Sequence, residues 1–228
     1  SARIVLNGRL PAGVFAKDVI LAIIRDFTAS GCSYYCAEFS GGALQDMSVA
    51  ERFVLATVSV EMGVKATYVE VDEVTRRYAD RGGLPYETVV PDADARYRVE
   101  KQIDVAALPP LVACPHAVDN VRPVSELEGT EIHQAFIGTC ASGRIEDFAT
   151  AAAILRGKRI AAGVRLLIAP ASRAVLEEAI ARGYLEILVK AGATLLASGC
   201  GPCAGIHEGL LGEGERCIST ANRNFRGR

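Results

Sequence analysis

Apolar positions near the start of the chain follow first a strand pattern and then a helix pattern. Residues 3–6 form a β-branched run, and the apolar residues after Lys17 recur at helical spacing, with Asp18 in the first turn. Residues 33–39 have a second strand-like pattern, in which Glu38 stands at the end of the apolar part. These spacings predict a strand, a helix and a second strand in that order.

The next segment continues the alternation. Ser48 and Glu51 have the form of a capping box in front of an amphipathic run, and Gly63 follows that run as a helix stop signal. Residues 65–71 are β-like, and Asp72 opens a short charged helix. Strands that alternate with helices are typical of α/β proteins with parallel sheets.

A polar stretch with several prolines divides the chain. It covers residues 84–110, and we predict a domain boundary near residue 105 within it. The second half alternates again, with strands over 132–138, 165–169, 194–197 and 217–220 and helices over 145–155 and 172–182. The sequence therefore predicts two α/β domains, 1–105 and 106–228.

Composition excludes some functions. Half of the 228 residues are hydrophobic, and the formal net charge of −2 leaves no basic surplus for a phosphate backbone, so nucleic acid is not expected as a partner. No apolar stretch approaches the roughly 20 residues that cross a bilayer. Seven cysteines cannot all form internal disulfides, which favours metal ligation or free thiols. We expect a cytoplasmic chain with no membrane partner.

Three cysteines in two glycine-rich segments carry the candidate chemistry: Cys140, Cys200 and Cys203. Parallel α/β sheets collect ligands in the loops after their strands, and both segments follow predicted strands. Three soft ligands are too few for a closed zinc site or an ordinary iron–sulfur cluster, which take four. The deficit indicates an open metal position that can act as a Lewis acid, as hydro-lyase chemistry requires.

Alternatives for these thiols are a redox dithiol and a zinc site completed by His116 or His207, although neither histidine has a partner at the usual short spacing. We interpret the three histidines, which include His133, as structural or exposed. The remaining cysteines lie in apolar or strand-like surroundings, where a thiol behaves as a small hydrophobic group: Cys32, Cys36, Cys114 and Cys217. Four acidic residues stand at predicted helix starts, where capping and the helix dipole account for them without a catalytic role: Asp72, Glu73, Glu146 and Asp147.

Three separate segments resemble one family. Residues 136–147, 200–203 and 219–228 look like the aconitase superfamily, and within it like the large subunits of 3-isopropylmalate dehydratase and homoaconitase. The likeness extends over nearly the whole chain. It implies two consecutive α/β/α domains of the aconitase iron–sulfur type, with 1–105 similar to the second aconitase domain and 106–228 to the third, cluster-binding one.

The resemblance also implies roles for individual residues. Cys140, Cys200 and Cys203 correspond to the ligands of a 4Fe–4S cluster whose fourth iron is open to substrate. Asn222, Arg223 and Arg228 correspond to substrate-binding positions. The guanidinium group of arginine can bind both oxygens of a carboxylate at once, which suits these positions. The sequence departs from the family at Arg226, where we expect a smaller or uncharged residue.

Glu38 corresponds to the glutamate that hydrogen-bonds to water at the open iron, where a carboxylate can accept and return a proton. The family's histidines and its aspartate–serine pair belong to a region before this chain, and its serine base belongs to a swivelling domain or small subunit. We therefore expect the chain to be cut at both ends, and to be inactive without those parts.

The function that these patterns favour is isomerisation of a hydroxy-carboxylate by dehydration and rehydration. We predict the cluster-bearing part of a hydro-lyase that converts 2-isopropylmalate to 3-isopropylmalate in leucine biosynthesis, with a small subunit as partner. Homoaconitase or a related dehydratase is the alternative. A hypothesis of another class is a non-catalytic metal-binding or redox-sensing module, although such a module has no use for Arg223 beside its thiols.

Overall fold

Two separate parallel sheets organise the residues that the computed structural model describes, 1–205 and 207–226. The first belongs to the unit Ser1–Glu126 and the second to the unit Leu127–Arg228. Neighbouring strands in both sheets run parallel. This topology confirms the predicted α/β class with parallel sheets. No described helix is both long and apolar enough to cross a membrane.

The first sheet has the order β3-β2-β1-β4. Its strands are β1 Ala2–Asn7, β2 Cys36–Ser40, β3 Ala66–Val69 and β4 Val99–Asp104, and its helices are α1 Ala16–Phe27, α2 Val49–Val58 and α3 Glu73–Asp80. Ile4 and Phe39 from the strands and Ile20 and Leu55 from the helices are fully buried. The hydrophobic core of this unit therefore lies between the apolar face of the sheet and the helices.

Strand β4 was not predicted. It lies in the stretch expected to be a polar connection, and only Ile103 among its six residues is buried. Because β4 is an edge strand with one neighbour, β1, most of its side chains stay partly or fully exposed. Its sequence therefore lacks the apolar signal of a central strand.

Strand β2 is shorter at its start than predicted. The amide of Tyr35 donates to the carbonyl of Cys32 in a turn, and the strand begins at Cys36. Cys32 is buried and Cys36 is half-buried. Their placement agrees with the interpretation of both as packing residues.

A two-stranded ribbon, β5 Leu111–Ala113 and β6 Val121–Pro123, follows the first sheet. Leu111 and Val121 pack against Leu21 of α1. The amide of Leu111 also donates to Asp18 Oδ1 at 2.6 Å, and burial raises the pKa of that carboxyl. These contacts join residues 106–126 to the first unit, so the units divide later in the chain than residue 105.

The second sheet has the order β10-β7-β8-β9. Its strands are β7 Gln134–Gly138, β8 Arg165–Ala169, β9 Thr194–Leu195 and β10 Cys217–Ser219, and its helices are α4 Thr139–Ser142, α5 Ile145–Leu155, α6 Arg173–Ala181 and α7 Tyr184–Ala191. The bounds of α5 and β8 are those predicted. Helix α7 was not predicted as a separate element.

Alternate residues of β8 face opposite sides of this sheet. Leu166 and Ile168 pack with Phe148 of α5 and Leu188 of α7. Leu167 packs on the other side, in a cluster that contains Cys203. The sheet therefore separates a helical core from the cysteine-bearing segment.

A bidentate ion pair holds the segment before β10 against β8. Arg165 donates to both carboxylate oxygens of Glu215 at 2.7 and 2.6 Å, and the amide of Gly212 donates to Oε2 at 2.8 Å. Mainly through the Arg165 hydrogen bonds, the pKa of Glu215 falls from its ordinary 4.5 to about 2.

This shift predicts a pH dependence of stability. Because the pKa is depressed in the folded state, the stabilisation is present above pH 4.5 and is lost as the pH falls towards 2. We expect Glu215→Gln to lower the free energy of unfolding at pH 6 and to match the wild type near pH 2. Urea denaturation across this range tests this, with Glu213→Gln as the control in the same loop. A difference that does not depend on pH would contradict it.

Candidate functional site

Cys140 lies in α4, the single turn that directly follows β7, and its side chain is exposed. Arg144 Nε donates to the carbonyl of Cys140 at 2.9 Å, and the amide of Arg144 donates to Asp147 Oδ2 at 2.9 Å. Asp147 thus caps α5, as predicted. The cap and the arginine fix the backbone on the C-terminal side of the thiol.

Thr139, immediately before Cys140, is strained and buried. Its φ is +77°, a left-handed conformation that β-branched residues rarely adopt, and its exposed fraction is 1%. Its Oγ1 has no hydrogen-bond partner among the described residues. A buried hydroxyl without a partner costs about 1–3 kcal/mol, and such strain clusters at functional sites. This residue therefore fits a position beside a bound group.

Two glycines bring the Cys140 segment close to the end of β8. A Cβ on Gly138 would lie 2.8 Å from the carbonyl oxygen of Ala169, and a Cβ on Gly143 would lie 2.4 Å from the same atom. Both distances are shorter than real Cβ contacts, and both involve backbone that cannot easily move. Glycine is therefore required here for close approach.

We expect Gly143→Ala to destabilise the second unit. The added methyl group would also meet the Thr139 carbonyl at 2.7 Å, so the strand end or the Cys140 turn must shift. Overpacking of this kind costs about 1–3 kcal/mol. Gly199→Ala is the matched control, because a Cβ there meets nothing within 4 Å. Chemical denaturation should show a loss for the first variant only; equal stability of the two would contradict the steric argument.

Cys200 and Cys203 occupy the turn after β9. Cys200 is exposed and precedes the 3₁₀ turn Gly201–Cys203, and the amide of Cys203 donates to the Cys200 carbonyl at 2.9 Å. Cys203 is buried against Phe136 and Leu167. The two thiols therefore have different environments, one open to solvent and one packed on the sheet.

Thr220 links the Cys140 segment to the end of β10. Its Oγ1 accepts from the amide of Gly138 at 3.0 Å and donates to the carbonyl of Ser142 at 3.4 Å. Thr220 lies in the motif 219–228 but its sequence context indicates no role for it, and nothing in the sequence distinguishes Thr139. Both are threonines next to strand ends, where hydrogen bonds from the side chain to the backbone are common. Thr220 makes such bonds, whereas the Thr139 hydroxyl has no partner among the described residues.

The predicted carboxylate-binding segment follows Thr220. Asn222 is half-buried and Arg223 is exposed, with its guanidinium carbon 5.9 Å from the ring centre of Phe225. Arg226 is exposed. Arg228 lies outside the described residues. The segment follows β10, the neighbour of β7, and so begins at the same edge of the sheet as Cys140.

The three thiols are not gathered into one ligating set. Within residues 1–205 and 207–226, no group of three or more His, Cys, Asp or Glu side chains is arranged to hold a metal ion. All three cysteines are free, and they follow strands β7 and β9 of one parallel sheet. Thiolates are soft ligands of the kind that iron–sulfur clusters use. The Thr139 hydroxyl without a partner, and the close backbone packing at Gly138 and Gly143, are consistent with a group bound beside Cys140.

Glu38 belongs to the first unit. It lies within β2, two residues before the strand end, and pairs with Arg3 of β1 and Tyr68 of β3 across the sheet. Its Oε1 accepts from the Tyr97 hydroxyl at 2.6 Å. Tyr97 was not predicted as a site residue, because it lies in the polar stretch where no strand was expected.

Comparison with known proteins gives a family for the whole chain. The family model described as "Aconitase family (aconitate hydratase)" matches residues 1–228. Among solved structures, the chain is similar to aconitase X from Thermococcus kodakaraensis, with a TM-score of 0.53 and 16% identity over 98% of this chain and 49% of that one. At this identity the likeness concerns the fold alone.

Curated relatives are much more similar in sequence. The chain is 48% identical over its whole length to 3-isopropylmalate dehydratase large subunit 2 from Archaeoglobus fulgidus, and 49% to a probable methanogen homoaconitase large subunit from Methanosarcina mazei. It is 48% identical to the homoaconitase large subunit from Thermus thermophilus. It covers 55%, 58% and 54% of these relatives, and so spans just over half of their length.

Proposed function

Since this chain belongs to the aconitase family, we propose that it is the cluster-bearing part of a hydro-lyase that isomerises a 2-hydroxy di- or tricarboxylic acid. The observation that carries the proposal is the 48–49% sequence identity, over the whole of this chain, to dehydratase and homoaconitase large subunits. The placement of Cys140, Cys200 and Cys203 after strands of one parallel sheet supports it.

The residues that would hold the cofactor are Cys140, Cys200 and Cys203, as thiolate ligands of a 4Fe–4S cluster. When bound, such a cluster supplies a Lewis-acidic iron that lacks a protein ligand. Thr139 and the flanking glycines shape the backbone around the first ligand. The chain would thus hold the three cysteine ligands in place, and because it provides only these three thiolates, it would leave one iron without a protein ligand.

The chain's remaining task is to bind substrate and to move protons. Arg223, with Asn222 beside it, is suited to hold a substrate carboxylate through charge-assisted hydrogen bonds, and Arg228 is assigned the same task from sequence alone. Glu38 provides the proton with which the hydroxyl leaves as water, and takes it back on rehydration. The base that removes the proton from carbon is assigned to a partner.

The proposed reaction is conversion of 2-isopropylmalate to 3-isopropylmalate in leucine biosynthesis. The homoaconitase reaction is the second candidate, because relatives with the two names have equal identity to the chain. The words "large subunit" in these names support a separate small subunit as partner. A cytoplasmic location remains a prediction from the sequence.

Steady-state kinetics tests this proposal. The full-length subunit that contains this chain, loaded with iron and sulfide and mixed with its small subunit, should dehydrate 2-isopropylmalate. Comparison of its kcat/KM with that for homoaconitate separates the two substrate assignments. Full iron content without turnover of either substrate would favour the non-catalytic module.

We expect Arg223→Gln to lower kcat/KM about 100-fold. The reason is that hydrogen bonds to a charged group contribute about 1.5–3 kcal/mol each, and 1.36 kcal/mol corresponds to a tenfold change in rate. Arg159→Gln is the control, an exposed arginine elsewhere in the same unit. Equal kcat/KM for both variants would remove Arg223 from the substrate site.

A further inference from the structure

One face of the first sheet carries polar side chains that meet in a pocket of about 270 Å³. Arg3, Glu38 and Tyr68 are register neighbours on strands β1, β2 and β3, so their side chains share this face. The segment before β4 completes the pocket. The lining residues that matter here are Arg3, Glu38, Ser40, Tyr68 and Tyr97.

Tyr97 contacts two of these strands. Its hydroxyl donates to Glu38 Oε1 at 2.6 Å, and the Arg3 guanidinium carbon lies 5.5 Å from the centre of its ring. Arg3 Nε in turn donates to Ser40 Oγ at 3.4 Å. The hydrogen bond to Glu38 raises the pKa of Tyr97, because the phenol is held as a donor. The ring is therefore held on one side by a cation and at its tip by a carboxylate.

This contact distinguishes the two oxygens of Glu38. Among the residues that the structure describes, Tyr97 is the one side chain that donates a hydrogen bond to this carboxylate, and it does so to Oε1. A carboxylate that rotates freely presents either oxygen, whereas one held at Oε1 presents Oε2 in a fixed orientation.

We infer that Tyr97 is a positioning residue that orients Glu38 for proton transfer, with Arg3 holding the tyrosine ring in place. The inference rests on the proposed function, because it assigns a task to Glu38. Tyr97 itself does not exchange a proton with substrate; it fixes Oε1 and leaves Oε2 as the oxygen that accepts and returns the proton.

A double-mutant cycle in the full-length subunit with its small subunit tests this assignment. We expect Tyr97→Phe to lower kcat about 10- to 100-fold with little change in KM, since loss of a supporting partner misaligns a catalytic group. We expect Glu38→Gln to abolish most activity, and the double variant to lose no more than Glu38→Gln alone. Iron content should equal that of the wild type in all three variants.

Tyr86→Phe is the matched control. Tyr86 also donates to a carboxylate in the first unit, Asp80 Oδ1 at 2.9 Å, but that pair is exposed. We expect its kcat to equal that of the wild type. If Tyr97→Phe behaves like Tyr86→Phe, or if its effect adds fully to that of Glu38→Gln, Tyr97 does not position Glu38.

The cycle also separates this inference from the proposed function. If Glu38→Gln keeps full activity, the assignment of Glu38 fails and the inference fails with it. If Glu38→Gln is inactive and Tyr97→Phe is normal, only the inference fails.

A spectroscopic measurement on the chain itself tests the contact without activity. NMR titration of ¹³Cζ-labelled tyrosine should show that the pKa of Tyr97 falls towards its ordinary value of 10.0 in Glu38→Gln and stays raised in Asp80→Asn. An unchanged pKa of Tyr97 in Glu38→Gln would show that the pair does not form in solution.

Discussion

Cys140→Ser, Cys200→Ser and Cys203→Ser are each expected to lose the iron–sulfur cluster after anaerobic reconstitution with iron and sulfide. With three thiolates for four irons, no ligand is redundant, so one serine leaves a second iron without a protein thiolate. We expect iron to fall from about four per chain to near background in every variant. Colorimetric iron and sulfide analysis measures this.

Cys36→Ser is the matched control for these variants. It removes a half-buried thiol in the first unit, whose Sγ donates a weak hydrogen bond to the carbonyl of Ala37 at 3.8 Å. Its iron content should equal that of the wild type, and far-UV circular dichroism should confirm that all variants are folded. Full iron retention by any of the three site variants would remove that cysteine from the ligand set.

Asp72→Ala is expected to lower the free energy of unfolding of the first unit by about 3–5 kcal/mol. Arg52 is buried, with 4% of its side chain exposed, and it donates to both oxygens of Asp72 at 2.6 Å. Removing the carboxylate leaves this guanidinium without a counter-charge, which is strongly destabilising in a buried site. The substitution also removes the cap of α3, where Asp72 accepts from the amide of Thr75.

Glu73→Ala is the matched control for Asp72→Ala. Glu73 is the next residue and also pairs with an arginine, Arg77, but both side chains are more than half exposed. An exposed pair of this kind contributes at most about 1 kcal/mol. Urea denaturation followed by circular dichroism should separate the two variants clearly. A similar small effect for both would show that the Arg52 site tolerates an unpaired charge.

Asp72 has one role that could be predicted from the sequence and one that could not. Its capping role was predicted from its position before a charged helix, and the structure confirms it. Its pairing with Arg52 was not predicted, because the two residues come together only through the packing of α2 against α3. The pairing lowers the pKa of Asp72, mainly through the hydrogen bonds from Arg52.

Element prediction succeeded where burial leaves a strong periodic pattern. Helix α5 and strand β8 contribute to one core and were predicted with their observed bounds. The edge strand β4 and the short ribbon β5–β6 were missed because few of their residues are buried. Local hydrophobic patterns report burial, so weakly buried strands give little signal.

The candidate site likewise contains some residues that the local sequence identifies and others that it does not. The cysteines could be selected because thiols in glycine-rich segments after strands are a local signal. Thr139, Thr220 and Tyr97 could not, because their importance depends on burial, strain or contacts between distant segments. The assignment of Cys140, Cys200 and Cys203 as ligands, and of Arg223 as a substrate group, remains a proposal.

Electron paramagnetic resonance of the reconstituted wild type tests the central claim most directly. The claim is that three thiolates hold a four-iron cluster with one iron that lacks a protein ligand. Mild oxidation should release that iron and give a three-iron signal, with iron content falling from about four to about three per chain. Stoichiometric zinc binding without any cluster, in the full-length subunit as well as in this chain, would contradict the claim.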